Sequence, residues 1–327
     1  QPGPALARND PARRSMTALA DPPPSPVALT DAQRSSLQSL YDQGRFLEAY
    51  EGARPLGPFR SWAQPADLIL AGRLARHLGA PALGVRLLLR AWRRQPGCWQ
   101  AHYFMIWAVL ELRGPVAAWQ RFQLLPEPPS SNPADRADFF LLRSRIAASL
   151  RDFQLADHCL AQAEHTRHEP AWVAFERSQR LESEDRYSEA LEIAQSALAR
   201  HPRHWILSAQ TAHALTLVGR DGEALELLRA ARVSFPTLYL AQNLYALELE
   251  LDLFQDALAT LEDAQRLAPL AEPSFQEWLA RGRATCLYRL GQFEPAALEA
   301  RRAGPTPSWI QFAARLESPP PEAQRIQ

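Results

Sequence analysis

The sequence contains no lysine, and all 36 of its basic side chains are arginine. Lysine Schiff bases, phosphate-loop lysines and lysine general bases are therefore excluded from its chemistry. Glycine is also scarce, at 14 of 327 residues, and no glycine-rich phosphate-binding loop occurs. The coding bias of a high-GC bacterial genome accounts for the arginine preference without a functional cause.

Cysteines and long apolar runs are rare as well. Cys98, Cys159 and Cys286 are odd in number and widely spaced, which argues against a disulfide framework and a paired-cysteine zinc site. The longest apolar run, Tyr103 to Leu110, is far shorter than the roughly 18 residues that span a bilayer. Reduced thiols predict a cytoplasmic location. The chain begins at Gln1 without an initiator methionine, which leaves open the removal of a targeting segment.

Proline-rich runs lie at both ends of the chain. Those in residues 1–29 break helix and strand alike and offer no periodic apolar face, which predicts a disordered leader. Thr30 and Gln33 have the spacing of a capping box, which predicts that the first helix starts there. Three consecutive prolines near the other end predict that residues 318–327 are a linker or a truncated end.

The region between these ends is repetitive. Prolines and alanines recur with one constant period, as in Pro202 and Pro236, Ala156, Ala190 and Ala224, and Ala197 and Ala231. Small residues also recur in pairs 12 positions apart, namely Gly72 and Gly84, Ser144 and Ala156, Ser178 and Ala190, Ala212 and Ala224, and Ala284 and Ala296. A small side chain at a crossing point lets two helix axes approach to roughly 8–10 Å. The pattern therefore predicts a series of antiparallel helical hairpins.

These small residues, with an aromatic before the second helix and a proline after it, resemble the tetratricopeptide repeat, whose period is about 34 residues. The resemblance is closest from Ala137 to Ala303 and weakest from Trp99 to Leu125, where Gly114-Pro115 interrupts the pattern. It implies an all-α fold, a right-handed α-α superhelix in which antiparallel helical hairpins form a solenoid. We expect about eight degenerate hairpins over residues 30–317, the last covered by a capping helix from Trp309 to Leu316.

The same resemblance implies a non-catalytic scaffold that binds a peptide or helix of another protein in its concave groove, without cofactor or metal. The residues expected to face the groove from the first helix of each hairpin are Arg73, Arg76, Tyr103, Trp107, Arg145, Phe175, Gln179, His213, Asn243 and Tyr288. Aromatic and arginine side chains are enriched at binding hot spots. Trp172, Trp205 and Trp278 begin their helices and are expected to pack instead. Family members that clamp a C-terminal carboxylate use lysines and asparagines, so the lack of lysine argues against that groove type.

The formal charge is zero overall but unevenly distributed. Residues 1–121 carry 15 arginines against 8 acids, a balance of +7, and residues 122–327 carry 21 against 28, a balance of −7. Eight arginines lie between Arg54 and Arg94 with Asp67 as the one acid, which favours an acidic protein partner for the first hairpins. We expect the partner site near the third hairpin, where aromatics are densest and the two charge regions meet.

Two alternative functions are consistent with the sequence. The chain could be the recognition arm of a larger enzyme, for example a cysteine peptidase, whose catalytic domain would follow Gln327. It could also bind nucleic acid through its basic N-terminal half, although the acidic second half argues against the sustained basic groove this requires. His158, His165 and His168 lack a carboxylate or cysteine at ligand spacing, so no metal site is expected.

Overall fold

The computed structural model describes residues 26–128, 132–168 and 170–304, and these form a succession of helices joined by short turns. The helices are α1 Asp31–Asp42, α2 Phe46–Ala53, α3 Pro65–His77, α4 Pro81–Arg94, α5 Trp99–Phe122, α6 Pro133–Ser149, α7 Phe153–His165, α8 Pro170–Glu182, α9 Tyr187–Arg200, α10 Trp205–Leu217, α11 Asp221–Ser234, α12 Leu238–Glu250, α13 Phe254–Leu267, α14 Pro273–Arg289 and α15 Phe293–Arg302. Seven adjacent pairs pack as hairpins, and α5, broken into two segments, forms the third of eight. The predicted all-α solenoid is confirmed. Within the described ranges, no helix is long and apolar enough to cross a membrane.

A left-handed backbone residue turns the chain between the two helical segments of every hairpin. In five hairpins it is a glycine with φ between 74° and 85°, namely Gly44, Gly79, Gly114, Gly219 and Gly291. In the other three it is Arg151, Asp185 or Asp252, with φ between 58° and 63°. This conformation ends a helix, and glycine adopts it without a Cβ penalty. Gly114, which interrupts the repeat pattern in the sequence, is therefore the turn residue of the third hairpin.

The two helices of each hairpin approach most closely at the small residues predicted from the repeat. A Cβ atom added to Gly84 would lie 2.7 Å from the carbonyl oxygen of Gly72, so hairpin two tolerates only glycine at this crossing. In hairpins four and five a serine replaces the first glycine. Its hydroxyl donates across the crossing, from Ser144 to the Ala156 carbonyl at 3.1 Å and from Ser178 to the Ala190 carbonyl at 3.0 Å. These buried hydroxyls keep the helices close without an unpaired polar group.

The packed chain begins slightly before the expected boundary at residue 30. The N–H of Val27 donates to the Ser61 carbonyl at 2.9 Å, and Leu29 is buried in the main apolar core. Thr30 caps α1 and forms the predicted capping box with Gln33. The expected leader up to residue 25, the capping helix from Trp309 to Leu316 and the 318–327 linker lie outside the described residues.

The turns of the first two hairpins contact the hairpins that follow much later in the chain. The edge of the Trp205 ring packs against Phe46, with centroids 5.7 Å apart, and lies against the backbone of Gly44. His77 stacks on Phe46 at 3.9 Å, and burial lowers the pKa of His77 to about 3, so its ring stays neutral. The array is therefore curved enough for its first two hairpins to contact α10 and the connection between α13 and α14. We call the contact of residues 44–46 and 77–83 with Trp205 and residues 268–272 the seam.

Backbone hydrogen bonds join the edges at the second part of the seam. The N–H of Leu270 donates to the Leu78 carbonyl at 3.1 Å, and the N–H of Glu272 donates to the Gly79 carbonyl at 2.9 Å. The Glu272 carboxylate in turn accepts from the N–H groups of Ala82 and Leu83, at 3.0 and 2.8 Å, 189 residues away in the second case. Glu272 thus caps the start of α4 from the far end of the array, where a negative charge also complements the helix dipole.

The close crossing within hairpins predicts the effect of overpacking. Replacing Ala190 or Ala224 by leucine should lower the free energy of unfolding by about 1–3 kcal/mol, because both alanines are fully buried against the partner helix. Urea denaturation followed by circular dichroism measures this change. Ala199→Leu, at an exposed position of α9, is the matched control and should change stability little. Unchanged stability of the Ala190 and Ala224 variants would contradict the hairpin register.

The seam gives a second prediction. Glu272→Ala should lower the free energy of unfolding by about 1 kcal/mol, because it removes the side-chain cap of α4. Hydrogen exchange of the Ala82 and Leu83 amides should accelerate in the same variant. Glu262→Ala, which removes an exposed acid from α13, serves as the control. If amide exchange at α4 were the same in both variants, the seam would be absent in solution.

Candidate protein-binding surface

The first helices of consecutive hairpins form the inner layer of the curved array. α6 packs on α8, α8 on α10, and α10 on α12, in addition to each helix packing on its own hairpin partner. A layer whose members touch in this way lies on the shorter, concave side of a solenoid. Side chains on these helices meet those of the next hairpin at a sequence spacing of 31 residues in two of the central contacts. We call this set of contacts the polar ladder. Its members are Trp107, Arg145, Phe175, Glu176, Ser178, Gln179, Glu182, Gln210, His213 and Tyr239.

The centre of the polar ladder is a buried ion pair. Arg145 on α6 donates to both carboxylate oxygens of Glu176 on α8, at 2.6 and 2.8 Å, and Glu176 is almost fully buried. The guanidinium also lies over the rings of Trp107 and Phe175, with its central carbon 5.6 and 5.4 Å from the centroids. Burial is the largest single effect and lowers the pKa of Arg145, but the charge and hydrogen bonds of Glu176, with Tyr239 and Glu182, together outweigh burial and raise the pKa. Arginine suits this position because its guanidinium stays charged, donates two hydrogen bonds to one carboxylate and stacks on aromatic rings.

The next group of contacts in the polar ladder joins α8 to α10. The side-chain amide of Gln210 donates to Ser178 at 2.9 Å and to a carboxylate oxygen of Glu182 at 2.5 Å. His213 lies 3.7 Å from the other Glu182 oxygen. Burial raises the pKa of Glu182 to about 7, against the opposing effects of Gln210 and Arg145. Burial also lowers the pKa of His213, so near neutral pH this pair holds less charge than its sequence implies.

Some polar atoms of the inner face have no partner among the described residues. The buried carbonyl oxygen of Gln179 accepts no hydrogen bond, while its amide donates weakly to Gln210 at 3.3 Å. The Arg73 guanidinium lies between the rings of Tyr41 and Phe104, 4.1 and 4.6 Å from the centroids, and its buried Nε has no acceptor. A buried polar atom without a partner is costly, so a ligand that supplies one gains affinity.

The structure brings five of the predicted groove residues together in the polar ladder: Trp107, Arg145, Phe175, Gln179 and His213. Asn243 lies one hairpin further on α12, where its amide donates to the Tyr239 carbonyl at 2.7 Å. Arg73 and Arg76 belong to the same inner layer near the seam, and Arg76 pairs with Glu111. Tyr103 is 7% exposed and stacks on Trp99, so it contributes mainly to the core of the third hairpin. Tyr288 contacts Phe293 within the last hairpin, away from the ladder.

Glu176 and Tyr239 also belong to the ladder, and neither is among the predicted groove residues. Glu176 pairs with Arg145, and Tyr239, which is 38% exposed, lies close enough to Arg145 and Glu182 for their charges to affect the pKa of its hydroxyl. The spacing of opposite charges identifies Glu176, because it follows Arg145 by 31 residues, as Gln210 follows Gln179. The repeat period aligns equivalent positions of successive hairpins, whereas contacts between hairpins join positions that differ by about one helical turn.

The cysteines lie apart from the polar ladder. Cys159 and Cys286 are buried, and burial raises the pKa of each thiol to about 11. Both are therefore protonated at neutral pH, when a nucleophilic cysteine would be a thiolate. They act as small apolar residues in the packing of hairpins four and eight.

Comparisons with known proteins find solved structures of similar fold. No protein-family model and no curated protein matches the sequence. Among solved structures, yeast Tom70 is 13% identical, with the match covering 89% of this chain and 61% of Tom70, at a TM-score of 0.57. PilW, a type IV pilus biogenesis factor, is 14% identical over 67% of this chain and 99% of its own, at a TM-score of 0.50. A tetratricopeptide repeat protein from Parabacteroides merdae is 14% identical over 88% and 98%, at 0.39. The chain has the helical-repeat fold expected from its resemblance to tetratricopeptide repeats.

The raised pKa of Glu182 gives a prediction on stability. Because the pKa is about 7 in the folded chain and 4.5 is its ordinary value, ionising Glu182 opposes folding. Its favourable contribution is complete below about pH 4.5 and is lost as the pH rises through 7. Glu182→Gln cannot ionise, so relative to the unchanged protein it should gain on the order of 1–3 kcal/mol between pH 5 and pH 8.

Denaturant unfolding at several pH values measures this difference. Glu192→Gln, which neutralises an exposed acid on α9, is the matched control and should show a much smaller dependence. The assignment would be wrong if the two variants followed the same pH profile.

Proposed function

We propose that this chain is a non-catalytic scaffold that binds an extended segment of another protein along the inner face of hairpins three to seven. The polar ladder carries this proposal, because it combines partly exposed aromatic rings with charged groups and with a polar atom that lacks a partner. Protein-binding surfaces are enriched in these side-chain types.

The ladder offers complementary groups to an extended chain. A bound segment presents a backbone N–H and carbonyl in each residue at a rise of about 3.3 Å. An N–H of that segment would satisfy the Gln179 carbonyl oxygen, which accepts no hydrogen bond within the described residues. The exposed faces of Trp107 and Tyr239 provide apolar contact on either side. An extended segment therefore matches the ladder better than a compact small molecule does.

The polar ladder also gives the scaffold its rigidity. Arg145 is held by two hydrogen bonds and two aromatic faces, so it loses little conformational entropy when a partner binds. Preorganised side chains of this kind raise affinity by lowering the cost of ordering. The partner site, expected from the sequence near the third hairpin, is thus extended in this proposal to hairpins four to seven. The cytoplasmic location, the fusion to an enzyme and nucleic-acid binding stay predictions.

Selection from a displayed peptide library, followed by fluorescence anisotropy, tests the proposed function. Trp107→Ala and Tyr239→Ala should each weaken the selected peptides about ten-fold or more, as expected when a hot-spot aromatic is truncated. Both variants should keep their helical content, because each ring is partly exposed.

Tyr187→Ala is the control, since this residue lies on α9, a second helix of its hairpin, and bonds only to nearby Asp185. It should leave peptide affinity within two-fold, a difference of about 0.4 kcal/mol. Peptides that bind both ladder variants as tightly as the unchanged protein would contradict the proposal.

A further inference from the structure

A cavity of about 620 Å³ opens at the seam, outside the polar ladder. One side is formed by Tyr50 and Phe59 of the first hairpin and its following turns, and another by Leu83 of α4. Leu270, from the connection between α13 and α14, completes the wall from the far end of the array. The lining is mainly apolar, and the volume lies in the range of ligand-binding clefts, so it can admit an aromatic side chain together with the adjoining backbone.

Three arginines surround this apolar cavity, and none of the residues lining it is acidic. Arg54 and Arg60 are exposed, and neither forms an ion pair or side-chain hydrogen bond with another described residue. Arg86 lies 3.7 Å from Glu272, which is also bonded to the start of α4. The mouth of the cavity therefore carries uncompensated positive charge.

Asp67, the one acid in this part of the sequence, does not neutralise that charge. Its carboxylate is fully buried, where it accepts from Arg34 Nε at 2.7 Å and from the Leu29 N–H at 3.0 Å. Asp67 is therefore paired in the interior and does not offset the charges of Arg54 and Arg60 at the surface. A partner that complements these charges must be acidic.

The charge of the chain itself argues against self-occupancy by its N-terminal segment. Residues 1–25 contain three arginines and two aspartates, a balance of +1, which the basic mouth of the cavity would repel. A nucleic acid would meet the arginines but would leave the apolar wall of Phe59, Leu83 and Leu270 against phosphate and sugar. The apolar wall and basic mouth together favour a peptide.

We propose that the seam cavity binds an acidic segment of a partner protein, with one aromatic side chain inside and carboxylates on Arg54 and Arg60. Because Leu83 and Leu270 come from the two edges of the array, the ligand contacts both and stabilises the closed seam. This site is separate from the polar ladder. An acidic partner, expected from the sequence for the first hairpins, would bind at this surface. Its binding does not depend on what binds the inner face.

The probe is a fluorescein-labelled peptide with two acidic residues on each side of one phenylalanine, measured by fluorescence anisotropy. It should bind the full chain, and the double variant Arg54→Gln, Arg60→Gln should weaken binding about ten-fold or more, since each arginine donates to a carboxylate. Leu270→Ala should also weaken it, although this residue lies far from Arg54 in the sequence. Trp107→Ala, on the ladder, should leave it unchanged.

The matched control is Arg93→Gln, Arg121→Gln, which removes two exposed arginines from the same basic region but away from the cavity. An equal loss in this variant would mean general charge attraction and would overturn the proposal. So would equal binding of a peptide with alanine in place of phenylalanine, or no binding at all. A single-stranded oligonucleotide that binds more tightly than the peptide, through Arg54 and Arg60, would identify a nucleic-acid surface instead.

Discussion

The hydrogen bonds from Leu270 and Glu272 to the turn of the second hairpin hold the two edges of this solenoid together. A helical-repeat array normally contacts only its neighbours, so its curvature accumulates freely along the chain. Here the curvature must bring residues 268–272 to within hydrogen-bonding distance of Leu78 and Gly79. The absence of a Cβ atom at Gly79 permits that approach, since an added Cβ would lie 2.8 Å from the Ala268 side chain. Both candidate binding surfaces depend on this closure, one inside the curve and one across it.

The closed curvature also narrows the inner layer, and the side chains that meet in its narrow part are polar. The first helices of hairpins four to seven come close enough for side chains to meet, and Arg145, Glu176, Glu182 and Gln210 occupy those meeting points. Apolar side chains there would bury surface but leave no directional contacts for a partner. Buried charges that are paired, as Arg145 is with Glu176, give specificity to a binding surface, whereas isolated buried charges would destabilise it. Arginine as the sole cation suits this arrangement, because burial neutralises lysine more readily than arginine.

Much of the fold follows from short-range regularities in the sequence. The pairs of small residues 12 positions apart, such as Ser178 and Ala190, predict the helix crossing from the sequence alone. The position of Trp205 illustrates the limit of that reasoning. Its place at the start of a helix predicts packing, but its ring also packs on Phe46 and Gly44 of the first hairpin, which no local spacing indicates.

The candidate site divides in the same way. Arg145 and Gln179 follow from the repeat register, and Glu176 follows from its spacing of 31 residues to Arg145, while Tyr239 depends on how the hairpins rotate against each other. Tyr103 shows that an aromatic in the right register can instead belong to the core of its hairpin, where it is buried and stacks on Trp99. The seam cavity has no sequence signal beyond an excess of arginine, because its walls come from segments near opposite ends of the array. Long-range contacts of this kind are set by the sum of many hairpin angles rather than by any one of them.

The seam has a consequence for how such a chain can change over time. An open solenoid tolerates the gain or loss of a whole hairpin, since the remaining units keep their neighbours. In this chain, inserting or deleting one unit between α4 and the connection at residues 268–272 would carry Glu272 away from the amides it caps. The number of hairpins between these points is therefore constrained as in a ring, while duplication after α15 would leave the closure intact. The hairpins should likewise not unfold independently, because unfolding any hairpin between the two contact points also breaks the seam.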